Sequence, residues 1–497
     1  MNFNYLDLII IIVYVLFIFF AGSIVKKYIK GIDDYLVAGR SMGFSLGLIS
    51  LMCTEIGMIT YVYFAELGYG KGLASLMVAV PFVVAFLFLG KTGFVIKKMM
   101  EMKIMTVPEF FSKRYSKGVR LYLGIIMAIG GILNFGVFPG VEAKFINIVT
   151  GIPEEFLLYT MVALLTIVLL YTLVGGMVSV IVTNYVQYAL LSFGMIIITI
   201  IGFNAVGWDG IMNAVSVQLG EKGVNPFDPS FLDGDFGLGF LVWQILMQIS
   251  LLIGWQAVSA RLFASKDPKT GQKIYRWSAL MFFSRAILPI FWGIIAFAYY
   301  TKLGIASEIQ GLDALPNLIK DLVPHGVLGL IFAGLLAASM STYASYLLSW
   351  SSIVSQDIVG NLIKFITGKE LSSKKQLQLS RIVMAVVMLF IIWWSLFHKI
   401  EGYLYFYLNM TAMLFIPGTL IGVAMGVYWD KARTLGAYLA ITFGAVPPLL
   451  YLVFPEEITK YASEMGYGGF IVALIGMIIG SGIQNIYNKS GKLKETV

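Results

Sequence analysis

Charge is scarce in this chain. Only 12% of its 497 residues are Asp, Glu, Lys or Arg, about half the 25% typical of a soluble domain. Together with 59% hydrophobic residues and a mean hydropathy of +0.86, that shortage excludes an ordinary water-soluble globule. The single cysteine, Cys53, excludes an intramolecular disulfide and a four-cysteine metal site. The two histidines, His325 and His398, fall at expected loop edges, which argues against a histidine-based metal centre. No Gly-rich phosphate loop ending in Lys-Ser/Thr occurs, so ATP is not the expected energy source. With one cysteine and two peripheral histidines, no nucleophile–base or metal cluster assembles, and the chain does not read as an enzyme. No basic region precedes the first apolar run, so residues 1–21 read as a retained span, not a cleaved signal. The stretch after Ile486 is short, and no signalling domain is expected there.

What is abundant is uncharged sequence. Leu8 to Val25 carries no charge and is long enough for one bilayer crossing; Phe156 to Trp208 is long enough for two. The chain has 52 glycines against 14 prolines, a bias that suits close helix packing and broken helices in membranes. The pattern predicts an all-α integral membrane protein of about thirteen helices. They fall near 5–25, 44–67, 72–96, 119–149, 153–174, 177–203, 237–263, 273–301, 326–357, 379–398, 402–428, 434–453 and 468–487.

The net charge of +8 would hint at nucleic acid in a soluble protein; here the positive-inside rule explains it, and no nucleic-acid partner is expected. Basic residues collect in alternate loops: Lys26, Lys27, Lys30 and Arg40; Lys97 to Arg120; Lys266 to Arg276; Lys364 to Arg381; Lys431 and Arg433; and Lys489, Lys492 and Lys494. Acids mark the opposite loops at Asp228, Asp233 and Asp235, at Glu308 and Asp313, and at Glu456, Glu457 and Glu464. This predicts a multi-pass protein of the cell inner membrane with its N-terminus outside and its C-terminus in the cytoplasm. Val107 to Arg120 is basic and amphipathic and reads as lying along the cytoplasmic surface.

Two predicted helices carry interruptions at mid-membrane, Cys53-Thr54-Glu55-Ile56-Gly57 and Gly254-Trp255-Gln256. They lie about five helices apart, so two five-helix halves would enter the membrane in opposite directions, the inverted-repeat design of secondary transporters. The divisions are a first helix and cytoplasmic loop (1–43), a first repeat (44–203), an extracellular loop (204–236), a second repeat (237–430), and two extra helices with a cytoplasmic tail (431–497). Ala338, Ser341 and Thr342 share one face of the predicted ninth helix. A carbonyl and two hydroxyls there suit a small hard cation such as sodium; small residues also serve simply to let membrane helices approach closely.

Several motifs in order resemble one family. Asp34-Tyr35-Leu36-Val37-Ala38-Gly39-Arg40, Thr106-Val107-Pro108-Glu109-Phe110-Phe111 with Arg114-Tyr115, Gly175-Gly176 through Thr183-Asn184 and Gln187, Arg261 with Ala264-Ser265-Lys266-Asp267, and Ser341-Thr342 through Asp357-Ile358 are similar to signatures of the sodium/solute symporters. That group holds bacterial proline, sialic acid, pantothenate and sugar carriers. Ser179, Asn184 and Ala260 depart from its pattern. The resemblance implies symport of sodium with a small-molecule solute across the lipid bilayer, without an obligate protein partner. It implies a sodium site from the backbone carbonyls of Cys53, Ile56 and Ala338 and the hydroxyls of Ser341 and Thr342. A second sodium, which some members hold, would lose its aspartate to Asn184 and a serine to Ala344, so one sodium per cycle is expected.

For the solute, Glu55 stands where proline carriers have an aspartate, and Arg285 aligns with a solute-binding lysine of a sugar carrier. Ala79 replaces a hydroxyl-binding glutamate of the same carrier. A mid-membrane charge costs roughly 2.5–3.5 kcal/mol on insertion scales and needs a partner or a task. Glu55 and Arg285 would serve either a zwitterion or carboxylate, or each other. Trp255 and Gln256 are expected as wall and polar contact, and Glu142 as a further buried acid beside Lys144. A sugar or other neutral solute, and a proton-coupled carrier titrating Glu55, remain the alternatives.

Overall fold

Apolar segments in lipid have no water for their backbone groups, so each must close its hydrogen bonds internally. The computed structural model describes residues 3–25, 36, 38–225, 237–398, 402–454 and 461–490. Among them there is no β-strand, only an isolated bridge between Met42 and Ser265. Lys26, Lys27, Lys30, Asp34, Tyr35, Val37, Asp228, Asp233, Asp235, Glu456, Glu457, Lys492, Lys494 and the side chain of Ser179 lie outside the described residues.

Among the described residues, eight helices are long and apolar enough to cross a membrane, or up to ten if each of two bent pairs is one span. The predicted count of about thirteen divides differently in space. Phe44–Glu55 and Met58–Lys71 are separate segments, and a 3₁₀ turn, Gly72–Val78, leads into Ala79–Thr92. Helical residues run from Leu157 to Val224, 68 residues, interrupted by left-handed Gly207 (φ 73°) and Gly220 (φ 64°), a length far beyond one crossing at 1.5 Å per residue. Part of the stretch expected as a loop, 204–236, is therefore helical. Gly207, at φ 73°, redirects it with a conformation a side chain would oppose. Gly311–Leu322 is a further amphipathic helix with apolar Leu315, Leu318 and Ile319 buried. It packs on Met58–Lys71 and Phe138–Thr150.

The two predicted interruptions are real breaks. Ile56 (φ −107°, ψ 93°) and Gly57 (φ −101°, ψ 170°) are extended. Leu238–Gly254 and Gln256–Ala264 meet at 53° across Trp255. Met42 N–H donates to Ala264 O (3.0 Å) and Lys266 N–H to Met42 O (3.1 Å). The start of the first broken helix thus lies beside the end of the second. Arg40 joins the same end, donating to the carbonyls of Ile104 and Lys103 (both 3.0 Å), which gathers several of the basic loops on one side of the molecule.

Val327–Ser352 is the most enclosed span, with 89% of its apolar window buried. Its N-terminal N–H groups would be orphaned, but the buried Asp7 carboxylate of the first helix accepts from Gly326 N (2.8 Å) and Gly329 N (2.6 Å). The same helix continues as a π-helical segment, Ile353–Gly360, which holds Asp357. Asp357 accepts from Arg120 Nε (2.7 Å) and Thr106 Oγ1 (2.9 Å).

Candidate functional site

The first break opens backbone groups against the serine-rich helix. Ser341 Oγ donates to Cys53 O (2.6 Å) and lies 2.9 Å from Ala338 O. Thr342 Oγ1 is buried and makes no hydrogen bond. It lies against the break, because a Cβ added at Gly57 would sit 3.0 Å from it. Cys53 points its sulfur elsewhere, to Asn184 O at 3.4 Å, and offers only its carbonyl. The break itself is held by Thr60, whose Oγ1 accepts from Gly57 N (3.2 Å) and donates to Glu55 O (3.1 Å). Ile56 is buried beside these groups. The structure thus collects two carbonyls and two hydroxyls, one of them unsatisfied, at one buried spot. An unpaired buried hydroxyl is costly unless something occupies its lone pairs.

Beside this spot lies a cavity of about 100 Å³ lined by Glu55, Thr60, Trp255, Arg285, Thr342 and Tyr346, among others. Arg285 is held on three sides by aromatic rings, 5.1 Å from Phe282, 5.4 Å from Phe82 and 5.7 Å from Phe64. Its Nε donates to the Glu55 backbone carbonyl (2.6 Å) and its Nη2 to Tyr63 OH (3.0 Å). The side chains of Arg285 and Glu55 approach only to 3.9 Å, well short of a bidentate pair. Glu55 Oε1 is buried without a hydrogen bond. Both charges therefore face the cavity with bonding capacity to spare. Trp255 forms a wall, stacked on Phe415 at 5.8 Å and edge-on to Tyr346 at 5.6 Å.

Gln256 does not line this cavity. Its Oε1 accepts from Val107 N (3.0 Å) and its Nε2 donates to Met105 O (3.1 Å), tying the second broken helix to the Thr106-Val107-Pro108 segment. A polar residue one step past the break is directed by helix geometry away from Trp255, which spacing alone did not reveal. Glu142 does not pair with Lys144; Lys144 reaches Asp313 at 2.8 Å. Asn184 Nδ2 donates to Ser50 Oγ (3.1 Å), and the buried Arg261 guanidinium donates to Ser345 Oγ. Sequence reasoning missed Tyr63 and Tyr346, which have no charge or break to mark them.

A family model described as the sodium:solute symporter family matches residues 35–444. The chain is 23% identical to a sodium/glucose cotransporter of Vibrio parahaemolyticus, covering 93% of this chain and 88% of that one. It is 25% identical to sodium/glucose cotransporter 4 of Danio rerio, covering 90% and 71%. Among solved structures, a sodium-coupled sialic acid symporter in a substrate-bound outward-open state matches with a TM-score of 0.81 at 19% identity, covering 97% of this chain and 98% of that chain. MhsT in complex with L-phenylalanine matches at 0.54 and 16% identity, covering 87% and 97%. At these identities the structural matches show a shared transporter fold.

Proposed function

Because the chain belongs to the sodium:solute symporter family, and is therefore a membrane transporter coupled to sodium and not an enzyme, we propose that it carries a small zwitterion or carboxylate, most simply an amino acid. The observation that carries this reading is the pair of incompletely bonded charges, Glu55 and Arg285, on one cavity of about 100 Å³. A carboxylate would take the Arg285 fork and an ammonium the free Glu55 oxygen. The volume supports a small solute: it is below that of a roughly 150 Å³ cavity that accepts benzene.

In this reading sodium binds between the first broken helix and the serine-rich helix, held by the carbonyls of Cys53, Ile56 and Ala338, Ser341 Oγ and Thr342 Oγ1. The unsatisfied Thr342 hydroxyl beside the break supports this assignment. Occupancy would rotate Ser341 out of its bonds to the Cys53 and Ala338 carbonyls and free both oxygens for the ion. Sodium then fastens the break, and the break positions Glu55, so ion and solute reinforce each other; coupling requires that each bind the two conformations differently. One sodium per cycle is the stoichiometry, since Asn184, Ala344 and the Arg261 cation all disfavour a second. The basic loops face the cytoplasm in the inner membrane, with the N-terminus outside.

A sugar is the second reading, favoured by the glucose cotransporters among the relatives. Against it, two of the lining amides already donate to protein groups: Asn134 Nδ2 to Leu408 O at 2.7 Å and Asn409 Nδ2 to Tyr405 O at 2.7 Å. A proton-coupled cycle would use Glu55 instead of sodium. The test is a thermal-shift screen of the purified protein against amino acids, organic acids and sugars, with sodium or choline chloride. The reading expects stabilisation by an amino or organic acid only with sodium. A sugar that alone stabilises the protein would replace the solute assignment, and a solute effect equal in choline would remove the sodium coupling.

A further inference from the structure

Glu142 is a fully buried acid on Phe138–Thr150, outside the set of ligands and outside the cavity. No lysine, arginine or histidine pairs with it among the described residues; the one nearby in sequence, Lys144, is taken by Asp313. Its two oxygens bridge two helices, Met58–Lys71 and Val327–Ser352. Oε1 accepts from Ile59 N–H at 3.0 Å. That donor is one of the unpaired N–H groups at the start of the second half of the broken helix, where the helix dipole favours an anion. Oε2 accepts from Ser339 Oγ at 2.5 Å. Ile59 lies two residues beyond Gly57. Ser339 follows Ala338 and shares a helix face with Thr342 three residues on.

One carboxylate therefore clamps the break to the serine-rich helix at the level of the ion ligands, all of which are neutral oxygens. A buried negative charge with hydrogen bonds but no cation is expensive, and a sodium bound nearby offsets that expense. We propose that Glu142 is a positioning residue of the sodium site, whose fixed negative charge sets the affinity of five neutral ligands for sodium. The proposal rests on the sodium site read above.

The experiment titrates sodium into purified protein at constant ionic strength and follows both the thermal midpoint and solute binding. Glu142→Gln keeps the shape and the bond accepted from Ile59 N–H, replaces the bond accepted from Ser339 with one its amide can donate to the Ser339 hydroxyl, and removes the charge. Its half-saturating sodium concentration should rise at least tenfold, with the sodium-free midpoint within a few degrees of the parent. Ser339→Ala removes one bond and keeps the charge, and should hold sodium affinity within about threefold. Thr342→Ala tests the site itself and should lose sodium binding. Unchanged affinity in Glu142→Gln with loss in Thr342→Ala leaves the site standing and overturns the role of Glu142. Ser339→Ala as weak as Glu142→Gln means that the bond and not the charge matters, which also overturns it. Unchanged affinity in Thr342→Ala overturns the site and the proposal together. If Glu142→Gln does not fold, Glu142→Asp carries the test: it withdraws the charge by one methylene, so affinity should fall at least threefold, and unchanged affinity refutes the proposal.

Discussion

Arg285 and Glu55 divide two tasks that sequence left undivided. The guanidinium spends one donor on the Glu55 backbone and one on Tyr63, so its position depends on the helix break and not on the Glu55 carboxyl. Arg285→Lys keeps the charge but cannot fill the aromatic enclosure or bond in two directions. It should raise the solute KM at least tenfold with sodium affinity little changed, as read by uptake at saturating sodium. Glu55→Gln should discriminate among solutes: uptake of a zwitterion falls at least tenfold, whereas a plain carboxylate is carried as well as before. Equal loss for both would assign Glu55 to the break and not to the solute. The charged residues and the hydroxyl-rich stretch were legible because charge and hydroxyl are rare at membrane depth. The fates of Gln256 and Glu142 were not, since which neighbour a buried polar group meets depends on helix rotation, and sequence spacing carries no information about the facing helix.

Helix packing decides whether the break is held in place. The second half of the first broken helix, Met58–Lys71, meets Pro268–Leu303 at backbone contact: a Cβ at Gly293 would lie 1.9 Å from Ala65 O, and one at Gly68 2.0 Å from Ile290 O. Both obstacles are backbone and cannot swing aside. Gly293→Val should therefore separate the two helices and displace Arg285, which lies two turns earlier on the same helix. Overpacking of this kind costs about 1–3 kcal/mol; a lower midpoint and lost solute binding are expected in a thermal melt, while an unchanged midpoint would show that the contact is looser. The same long helix starts at Asp267, whose carboxylate caps it through Thr270 N (2.8 Å) and Thr270 Oγ1 (2.7 Å). These bonds, the backbone one foremost, hold the carboxyl below its ordinary 3.8. A lowered folded value means the cap contributes fully above the unfolded value and is lost as pH falls through the folded one. Asp267→Ala should cost about 1 kcal/mol at pH 7, and the difference from the parent should close only below about pH 4; a gap that closes between pH 5 and 7 would contradict this. The two breaks were visible as Glu55-Ile56-Gly57 and Gly254-Trp255, polar or small residues in apolar runs. The helix across 204–224 and the cover helix Gly311–Leu322 were not, because their polar residues and loop-like charges resemble connections until tertiary packing gives their apolar faces a partner.

The two helix breaks, the unsatisfied Thr342 hydroxyl and the cavity bearing Glu55 and Arg285 lie together in the molecule. Asp7 anchors Val327–Ser352 at one end, and the Asp357–Arg120–Thr106 cluster anchors its π-helical continuation at the other. Family membership and membrane class could be read from motif order and apolar runs. The solute could not, since it is chosen by cavity shape and by which charges remain unsatisfied, and both exist only after folding. The central claim is that sodium entry and solute entry are one event. Its most direct measurement is uptake of the stabilising solute into proteoliposomes at fixed pH with an imposed sodium gradient, an equal potassium gradient, or a proton gradient without sodium. The account predicts accumulation with the sodium gradient alone, first order in sodium at limiting concentration. Accumulation driven by protons without sodium, or a second-order dependence on sodium, would contradict it.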